Sequence, residues 1–290
     1  MKEKRKGIIL AGGIGSRLLP LTQVISKQLL PVFDKPMIYY PLSTLMLAGI
    51  KDIAIISTPK DLPMFKKILK TGDQWGLKFK FIEQKKPNGI AEAFILAQKF
   101  IGNSPSCLIL GDNIYHGGDW SNILKEANND FDNSTVFAYR VKDARRFGVV
   151  NLDKKGNPKK IEEKPKNPSS NLAITGLYFF PKGVSSIAKK LKPSKRGELE
   201  ITDLNQTYLK ENKMKVKVLN RGYTWLDTGT FDSLLEASNF VSLIQNKQDS
   251  VIACLEEIAF YNGWLTKSEI KKFIKNTQNS YGEYLSKIIN

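Results

Sequence analysis

The most informative segment of the chain reads Gly7-Ile8-Ile9-Leu10-Ala11-Gly12-Gly13-Ile14-Gly15-Ser16-Arg17. Residues 7–11 form an apolar run, which predicts a strand buried on both faces of a sheet. Residues 12–17 follow with three glycines, which let backbone N–H groups turn tightly and approach an anion. Arg17 adds a rigid guanidinium and Lys27 a mobile ammonium. The segment therefore predicts a triphosphate-binding loop at the end of the first core strand.

Two common phosphate-binding motifs do not fit this loop. A P-loop needs Gly-Lys-Ser/Thr, whereas Gly15 is followed by Ser16 and Arg17. A dinucleotide fingerprint that starts at Gly13 would need a third glycine where Leu18 stands. A glycine-bearing turn between a strand and a helix is the alternative without a ligand. The two cations favour phosphate.

The rest of the chain alternates between strand-like and helix-like patterns. Strands are predicted at residues 53–57, 78–83, 107–110, 135–141, 148–152, 159–163 and 175–181. Helices are predicted at residues 61–70, 91–101, 199–211 and 231–245. Such alternation predicts an α/β fold, with a mostly parallel, Rossmann-like central sheet and helices on both faces. Ligands of such sheets bind at the carboxyl ends of the strands.

Two further features concern the second half of the chain. A turn at Asp153-Lys154-Lys155-Gly156-Asn157 predicts a small β-hairpin, and residues 223–229 form a strand or a loop. The tail, 256–290, predicts amphipathic helices interrupted near Gly263 and Gly282. We therefore expect an α/β domain over residues 1–240 and a helical annex over 241–290, which packs on the core or at contacts between subunits.

Composition narrows the chemistry. The formal net charge is +17, but the lysines are scattered, so we expect a solvated surface and no nucleic-acid binding. No apolar run is long enough to cross a membrane. Cys107 and Cys254 are the only cysteines, which suits a reducing compartment, and we expect a cytoplasmic protein. His116 is the only histidine, so catalysis must depend on carboxylates, lysine, arginine and metal.

Several acidic residues are candidates for this chemistry. Asp112 follows a buried strand, and Asp227 lies in a second short segment. Two aspartates can hold Mg²⁺, although either could instead be a turn or N-cap residue. The sequence alone does not pair them. The run at residues 162–165 is, on its own, a solvated end of a strand.

Residues 12–20 and 27–31 resemble the signature of the sugar nucleotidyltransferases, Gly-Gly-x-Gly-x-Arg-Leu-x-Pro followed by Lys-Gln-Leu-Leu-Pro. Residues 34–42 are similar to the branch of that family that acts on glucose 1-phosphate with a thymidine nucleotide. The resemblance implies dTTP and glucose 1-phosphate as substrates, dTDP-glucose and pyrophosphate as products, and Mg²⁺ as cofactor. It also implies a homotetramer that supplies deoxysugar synthesis, such as that of dTDP-rhamnose.

The resemblance further implies site residues, with the sugar-binding part mainly at 145–230. The implied catalytic residues are Arg17, Lys27 and Lys164. The implied nucleotide-binding residues are Gly12, Gly13, Gly15, Ser16, Gln28, Gln84, Gly89 and Asn113. The implied sugar-binding residues are Gly148, Glu163, Ile174, Thr175 and Tyr178. The implied metal ligands are Asp112 and Asp227.

The chain also departs from the family pattern. Phe147 stands where many relatives have tyrosine, and Asn88 and Glu92 replace an acidic residue and a glutamine near the base. Relatives bind the pathway's end product at a second, regulatory site, of which this chain keeps Leu45, Arg221, Glu256, Glu257 and Ile258. Other positions of that site have changed, to His116, Gly118, Asn220, Ala253 and Tyr261. We therefore expect weak feedback inhibition.

Alternatives remain at this point. The same chemistry could use another base or another sugar. A protein of a different class, a non-catalytic nucleotide sensor or a basic nucleic-acid binder, could keep the same fold. Competent residues at all the expected catalytic positions argue against the sensor, and a nucleic-acid binder would show steeply salt-dependent affinity.

Overall fold

The computed structural model describes residues 4–13 and 15–290. Ile14, inside the predicted phosphate loop, lies outside the described residues. The strands are β1 Lys6–Ala11, β2 Pro31–Val32, β3 Lys35–Pro36, β4 Asp52–Ser57, β5 Lys78–Glu83, β6 Ser106–Leu110, β7 Asn113–Gly117, β8 Ser134–Arg140, β9 Gly148–Leu152, β10 Pro158–Glu163, β11 Leu172–Phe180, β12 Met214–Leu219 and β13 Tyr223–Asp227. The α-helices are α1 Tyr39–Leu47, α2 Leu62–Leu69, α3 Glu92–Leu96, α4 Gln98–Ile101, α5 Trp120–Asn129, α6 Val184–Ala188, α7 Ile201–Lys210, α8 Phe231–Gln248, α9 Leu255–Tyr261, α10 Lys267–Lys275 and α11 Ser280–Ile289. Short 3₁₀ turns occupy Ser16–Leu18, Leu21–Gln23, Lys27–Leu29 and Asp73–Trp75.

A nine-stranded sheet forms the centre of the described residues. Strands β5, β4, β1 and β6 lie side by side and run parallel. Strand β11 pairs with β6 in the opposite direction, and β8 and β12 continue the sheet beyond β11. The hairpin β9–β10 pairs with β11 on the edge that β6 also occupies, through Val149 and Ala173. The hairpin therefore stands beyond the carboxyl end of β6, with a gap between the two.

Successive residues of the central strands point to opposite faces of the sheet, as the two-residue period of a strand requires. Ile9 belongs to the apolar core on one face, with α1, α2, α5 and the C-terminal helices. Ile8 belongs to the core on the other face, with α3, α4, α6 and α7. The predicted α/β class, with a mostly parallel sheet covered on both faces, is confirmed.

One predicted helical detail is wrong, and another is confirmed. The helix predicted over residues 91–101 is divided into α3 and α4, because Ala97 has a ψ of 4° between them. The predicted interruption near Gly282 is present, since α10 ends at Lys275 and α11 begins at Ser280, and Gly282 itself lies in the first turn of α11. Asn279 caps that turn and accepts hydrogen bonds from the N–H groups of Tyr281 and Gly282. A Cβ on Gly282 would lie 1.9 Å from the carbonyl oxygen of Thr277, which explains the glycine.

Helix α1 was not predicted from the sequence. Residues 40–46 of this helix are all buried, so the helix has no polar face and its sequence carries no amphipathic period. Its neighbour in space is α9, at the start of the helical tail. From sequence alone, a helix that is buried on all sides cannot be distinguished from any other apolar run.

The tail is helical, as predicted, and it is fastened to the α/β part through buried polar contacts. The carboxylate of Glu256 accepts a hydrogen bond from Trp75 Nε1 at 2.8 Å and another from the Tyr281 hydroxyl. Helix α8 runs through residues 240 and 241, so no break in the backbone marks the predicted division of the chain. No helix in the described ranges combines the length and apolarity needed to span a membrane.

Candidate active site

A cavity of about 520 Å³ opens in the gap between the end of β6 and the β9–β10 hairpin. Its walls come from β6, β9, β10, β11, β13 and the loop after β1. The predicted site residues that line it are Arg17, Asp112, Asn113, Gly148, Glu163, Lys164, Ile174, Tyr178 and Asp227. The structure thus gathers the predicted metal, phosphate and sugar residues at the carboxyl end of the parallel strands.

Asp112 and Asp227 are brought together because two short strands, β7 and β13, pair near the carboxyl end of β6. In the antiparallel pair β7–β13, Asp227 lies opposite Asn113, the residue after Asp112. The hydroxyl of Thr228 donates to the Asp112 carbonyl oxygen at 2.9 Å, which locks the two segments together. Both carboxylates therefore face one cavity, although the sequence places them far apart.

Basic side chains lie around these two carboxylates. Lys27 Nζ lies 2.5 Å from Asp112 Oδ2, and both groups are largely shielded from solvent. Burial raises the pKa of Asp227, and repulsion from Asp112 raises it further. Lys27, Arg17 and Arg146 act in the opposite direction on that pKa. A cation between the two carboxylates would relieve this repulsion.

The donor set suits a divalent cation with oxygen ligands. No group of three or more histidine, cysteine, aspartate or glutamate side chains that could hold a metal occurs in residues 4–13 and 15–290. Two carboxylates alone leave most coordination positions to water and phosphate oxygens, which is the arrangement that Mg²⁺ favours at phosphate-transfer sites. Asp112 and Asp227 therefore fit Mg²⁺ better than zinc, which favours nitrogen and sulfur ligands.

The loop after β1 approaches the same cavity. Gly15 has a φ of +67°, in the left-handed region that glycine tolerates, and it precedes the turn Ser16–Leu18. Gly13 and Ser16 are exposed beside it. Arg17 reaches across to Gly229, where a Cβ would lie only 3.0 Å from its guanidinium. The loop thus directs its cation towards the strand that ends at Asp227.

The predicted base-reading residues lie on the other side of this loop. Gln84 is buried at the end of β5, and a Cβ on Gly12 would lie 2.1 Å from its Oε1. The Gln84 Nε2 donates to Glu92 at 2.8 Å, and Asn88 Nδ2 donates to the same carboxylate at 2.7 Å. The two residues that depart from the family pattern therefore hydrogen-bond to each other, and one of them fixes the Gln84 amide.

Gly89 and Gln28 are held more tightly than the sequence indicates. Gly89 has a φ of +107°, and a Cβ there would lie 2.4 Å from the carbonyl oxygen of Leu199. Gln28 is buried beneath Gly111, where its Cγ would lie 2.8 Å from an added Cβ, and its Oε1 accepts a hydrogen bond from Ser26. Gly89 is therefore packed against the segment before α7, and Gln28 against the residue that follows β6.

The hairpin supplies the opposite wall. Glu163 accepts a hydrogen bond from the Thr202 hydroxyl and lies 3.4 Å from the Arg196 guanidinium. Lys164 follows with a φ of 41°, which is strained for a residue other than glycine. This conformation ends β10, and the Lys164 N–H donates to the carbonyl oxygen of Phe147 at 3.1 Å. A carboxylate and an ammonium thereby line the cavity from adjacent positions.

Two predicted residues have other surroundings. Thr175 is fully buried and is not part of the cavity wall. Asn113 lines the wall, but its Oδ1 accepts from Trp225 Nε1 at 2.7 Å and from the Gly176 N–H at 3.0 Å. Its Nδ2 donates to Asp112 Oδ1 at 3.0 Å. The structure therefore shows Asn113 orienting Asp112, and its contact with a nucleotide stays a prediction.

Sequence reasoning missed several residues of the cavity. Arg146, Thr202 and Trp225 line it, and Arg196 joins Glu163 to Glu200 behind it. Arg146 lies in the loop between β8 and β9, and only the tertiary fold brings it beside Asp227, so spacing gave no signal. The arginine pair at residues 145–146, just before the predicted strand at Gly148, was the one available hint.

A second cavity of about 410 Å³ lies between β7, α1 and α9. The residues it shares with the predicted regulatory site are His116, Gly118, Ala253, Glu257, Ile258 and Tyr261. Leu45 is fully buried, and Arg221 lines a separate surface cavity with Asn220. The predicted regulatory positions are thus only partly gathered within one chain.

The model of the family described as nucleotidyl transferase matches residues 6–243, which include every residue of the main cavity. The chain belongs to this family.

Relatives refine the comparison. A glucose-1-phosphate thymidylyltransferase of Neisseria gonorrhoeae is 53% identical over 98% of this chain and 99% of its own length. The enzyme of the same name from Mycobacterium tuberculosis strain H37Rv is 45% identical over the same shares. A crystal structure from Bacillus anthracis, described as a glucose-1-phosphate thymidylyltransferase with sucrose, has a TM-score of 0.76 and 42% identity, over 81% of this chain and 94% of that one. A UDP-glucose pyrophosphorylase bound to UDP-glucose has a TM-score of 0.73 and 27% identity, over 83% and 99%.

Proposed function

We propose that this chain transfers a thymidylyl group from dTTP to α-D-glucose 1-phosphate and releases pyrophosphate. The supporting observation is one cavity lined by two carboxylates, Asp112 and Asp227, and by Arg17 and Lys164, with Lys27 paired to Asp112. The full-length similarity to glucose-1-phosphate thymidylyltransferases gives the same activity.

The reaction requires positioning and charge neutralisation rather than proton transfer. The phosphate oxygen of the sugar phosphate is already ionised near neutral pH. It forms a bond to the α-phosphorus of dTTP, while the bond from that phosphorus to the β-phosphate oxygen breaks. The electron pair of the broken bond leaves on pyrophosphate, so atoms and charges balance. This explains how a chain with a single histidine can catalyse the step.

We assign the charged side chains to these groups. Arg17 and Lys27 hold the β- and γ-phosphates and the departing pyrophosphate, and Lys164 holds the attacking phosphate. Mg²⁺, when bound at Asp112 and Asp227, neutralises charge on the phosphate oxygens. The strained backbone of Lys164 points its side chain into the cavity, in a position set before substrate binds.

The uncharged parts of the substrates occupy the two ends of the site. We assign the base to Gln84 and Gly89, with Gly12, Gly13, Gly15, Ser16 and Gln28 along the nucleotide. The Glu92 carboxylate engages the Gln84 amide nitrogen, which leaves the amide oxygen as the available acceptor for an imide N–H. We assign the sugar hydroxyls to Glu163 and Gly148, with Ile174 and Tyr178 as the apolar wall.

The decisive experiment measures pyrophosphate release by the purified protein with Mg²⁺. dTTP, UTP, CTP and GTP are each offered with glucose 1-phosphate, galactose 1-phosphate and glucosamine 1-phosphate. We expect the highest kcat/KM for dTTP with glucose 1-phosphate. A higher value for another pair would replace the proposed substrates, and no turnover with any pair would contradict a transferase.

We also infer a cytoplasmic homotetramer with weak feedback control at the second cavity. Tyr261 stands where relatives place an arginine, and it is largely exposed at the rim of that cavity. Tyrosine carries no positive charge to pair with a diphosphate, and a hydrogen bond to a charged group is worth roughly 1.5–3 kcal/mol, or about tenfold or more in affinity.

We expect that dTDP-rhamnose, titrated at sub-saturating dTTP, inhibits only at high concentration. Strong non-competitive inhibition at low micromolar effector, relieved by Arg221→Gln, would contradict this inference. Light scattering of the purified protein at several concentrations tests the tetramer separately.

A further inference from the structure

Arg146 lies in the loop between β8 and β9, where the main cavity meets the β9–β10 hairpin. Its side chain and that of its neighbour Arg145 have different partners. The Asp143 carboxylate binds Arg145 through Nε and Nη2, both at 2.8 Å. These hydrogen bonds hold the pKa of Asp143 at about 2. Both arginines line the cavity. Arg145 is thus held by Asp143, whereas Arg146 lies beside Asp227.

The contact of Arg146 with Asp227 is loose. Nη2 lies 3.9 Å from Asp227 Oδ2, beyond hydrogen-bond distance, and the arginine side chain is 52% exposed. It is the one ion pair of Arg146 among the residues that the structure describes. The guanidinium also lies 5.9 Å from the centre of the Phe147 ring. The Arg146 guanidinium is therefore close to the Asp227 carboxylate but is not hydrogen-bonded to it.

The neighbours of Arg146 place it at the sugar-phosphate side of the cavity. Phe147, the next residue, accepts the Lys164 N–H. Gly148, the residue after that, begins β9 and lines the cavity. Arg146 and Lys164 therefore approach the cavity from two hydrogen-bonded segments. An anion held by Lys164 would lie within reach of a side chain as long as arginine.

We propose that Arg146 exchanges partners during substrate binding: it balances Asp227 in the free enzyme and then binds the phosphate of the sugar 1-phosphate once a divalent cation occupies that carboxylate. The inference rests on the proposed function for the identity of the phosphate. Arg146 and the metal compete for the same oxygen, so the cation that takes Asp227 frees the guanidinium. The planar fork of arginine can bind two phosphate oxygens at once, which the Lys164 ammonium cannot do.

The first measurement uses Mn²⁺ as the probe and needs no turnover. Electron paramagnetic resonance gives the Mn²⁺ dissociation constant of the protein without substrates, and loss of binding in Asp227→Asn assigns the signal to this site. We expect Arg146→Gln to bind Mn²⁺ about two- to fivefold more tightly, the scale of a partly exposed ion pair. Unchanged or weaker Mn²⁺ binding in that variant would overturn the exchange.

The second measurement separates the two substrates. We expect Arg146→Gln to raise KM for glucose 1-phosphate about tenfold or more, while KM for dTTP changes by less than about twofold. Arg146→Lys keeps the charge without the fork and should fall between. An equal rise in KM for both substrates would mean that Arg146 only supports the fold, and would overturn the proposal.

Arg145→Gln is the matched control, because it removes the same charge from the same cavity wall, at a residue whose guanidinium is already bound by Asp143. We expect its Mn²⁺ affinity and its KM for glucose 1-phosphate to stay within about twofold of wild type. Effects as large as those of Arg146→Gln would show that net charge alone is responsible. A wild-type protein that releases no pyrophosphate would contradict the proposed function, and the Mn²⁺ comparison would still decide the role of Arg146.

Discussion

At the scale of single residues, the cavity depends on side chains that hold other side chains. The Asn113 amide links Asp112, Trp225 and the backbone of Gly176. Thr202 and Arg196 do the same for Glu163. Such contacts fix charged groups before substrate arrives, which is how preorganised electrostatic catalysis works.

Asp227→Asn should nearly abolish turnover while the fold stays intact. The variant removes one of the two negative charges that attract the metal and leaves phosphate charge uncompensated. Loss of such a stabilising group costs about 10²–10³ in kcat. Steady-state kinetics over a range of Mg²⁺ concentrations, with circular dichroism of the same samples, make the test. Activity within a few-fold of wild type at modest Mg²⁺ would refute the proposed metal site.

Arg17→Lys should lower kcat/KM mainly through dTTP. The guanidinium is packed against Gly229, and a lysine cannot present two N–H groups in one plane from that position. One hydrogen bond to a charged oxygen is worth roughly 1.5–3 kcal/mol, so a loss of about tenfold or more is expected. Kinetics with dTTP varied at saturating glucose 1-phosphate measure it. An unaltered dTTP response would mean that Arg17 is only a surface residue of the loop.

Residues of this kind differ in how far sequence reveals them. The glycine loop and Arg17 were predictable because their chemistry is local. The pairing of Asp112 with Asp227 came from resemblance, and the structure supplies its physical reason in the β7–β13 register. Arg146 and Thr202 could not be found from spacing, since only the tertiary fold brings them to the cavity.

At the scale of elements, the strands and helices that follow an amphipathic or buried period were predictable, and the others were not. Strand β5 is present over residues 78–83, as predicted. Helix α1 was missed because burial on all sides removes the periodic signal. The break at Ala97 was also missed, because no glycine or proline marks it.

Helix α8 begins directly after the segment that carries Asp227, so its first turn affects the site. Thr230 and Ser233 form a capping box there, and Thr266 and Glu269 form another at α10, away from the cavity. Thr230→Ala and Thr266→Ala should each lower the free energy of unfolding by about 1 kcal/mol. Only Thr230→Ala should also lower kcat, because its frayed turn loosens Gly229.

Urea denaturation of the two variants, followed by steady-state kinetics, makes this comparison. Thr266→Ala serves as the control for a general loss of stability. Equal kcat values for Thr230→Ala and wild type would show that pairing with β7 is enough to hold Asp227 in place.

At the scale of the whole molecule, the helical tail and the α/β part share one apolar core. The predicted annex is helical, and it packs on the core, which is one of the two placements that the sequence left open. Trp75, from the α/β part, and Tyr281, from α11, both donate to the buried Glu256 carboxylate. The attachment of the tail depends on individual side-chain contacts such as these, so composition alone could not show where it occurs.

Tyr281→Phe should lower the free energy of unfolding by roughly 1.5–3 kcal/mol, because it leaves a buried carboxylate with one donor fewer. KM values should not change, since this cluster lies away from the main cavity. Tyr284→Phe is the comparison, because its partner Glu257 is less deeply buried and should lose less stability. Urea denaturation measures both variants. Equal losses would show that burial of the carboxylate does not control the effect.

Strand β11 has a consequence for which substrates can react. Its nine residues pair with β6 near one end and with β9 near the other. Ile174 and Tyr178, which we assign to the sugar wall, lie on either side of an irregularity in the pairing of this strand with β8, and the Gly176 N–H between them donates to Asn113 beside Asp112. We therefore expect the separation between the proposed sugar pocket and the reacting phosphorus to be fixed. The enzyme would then select substrates by their length. In a sugar phosphate longer or shorter than the pocket, the attacking phosphate oxygen would not be in line with the α-phosphorus, even with every hydroxyl correctly bound.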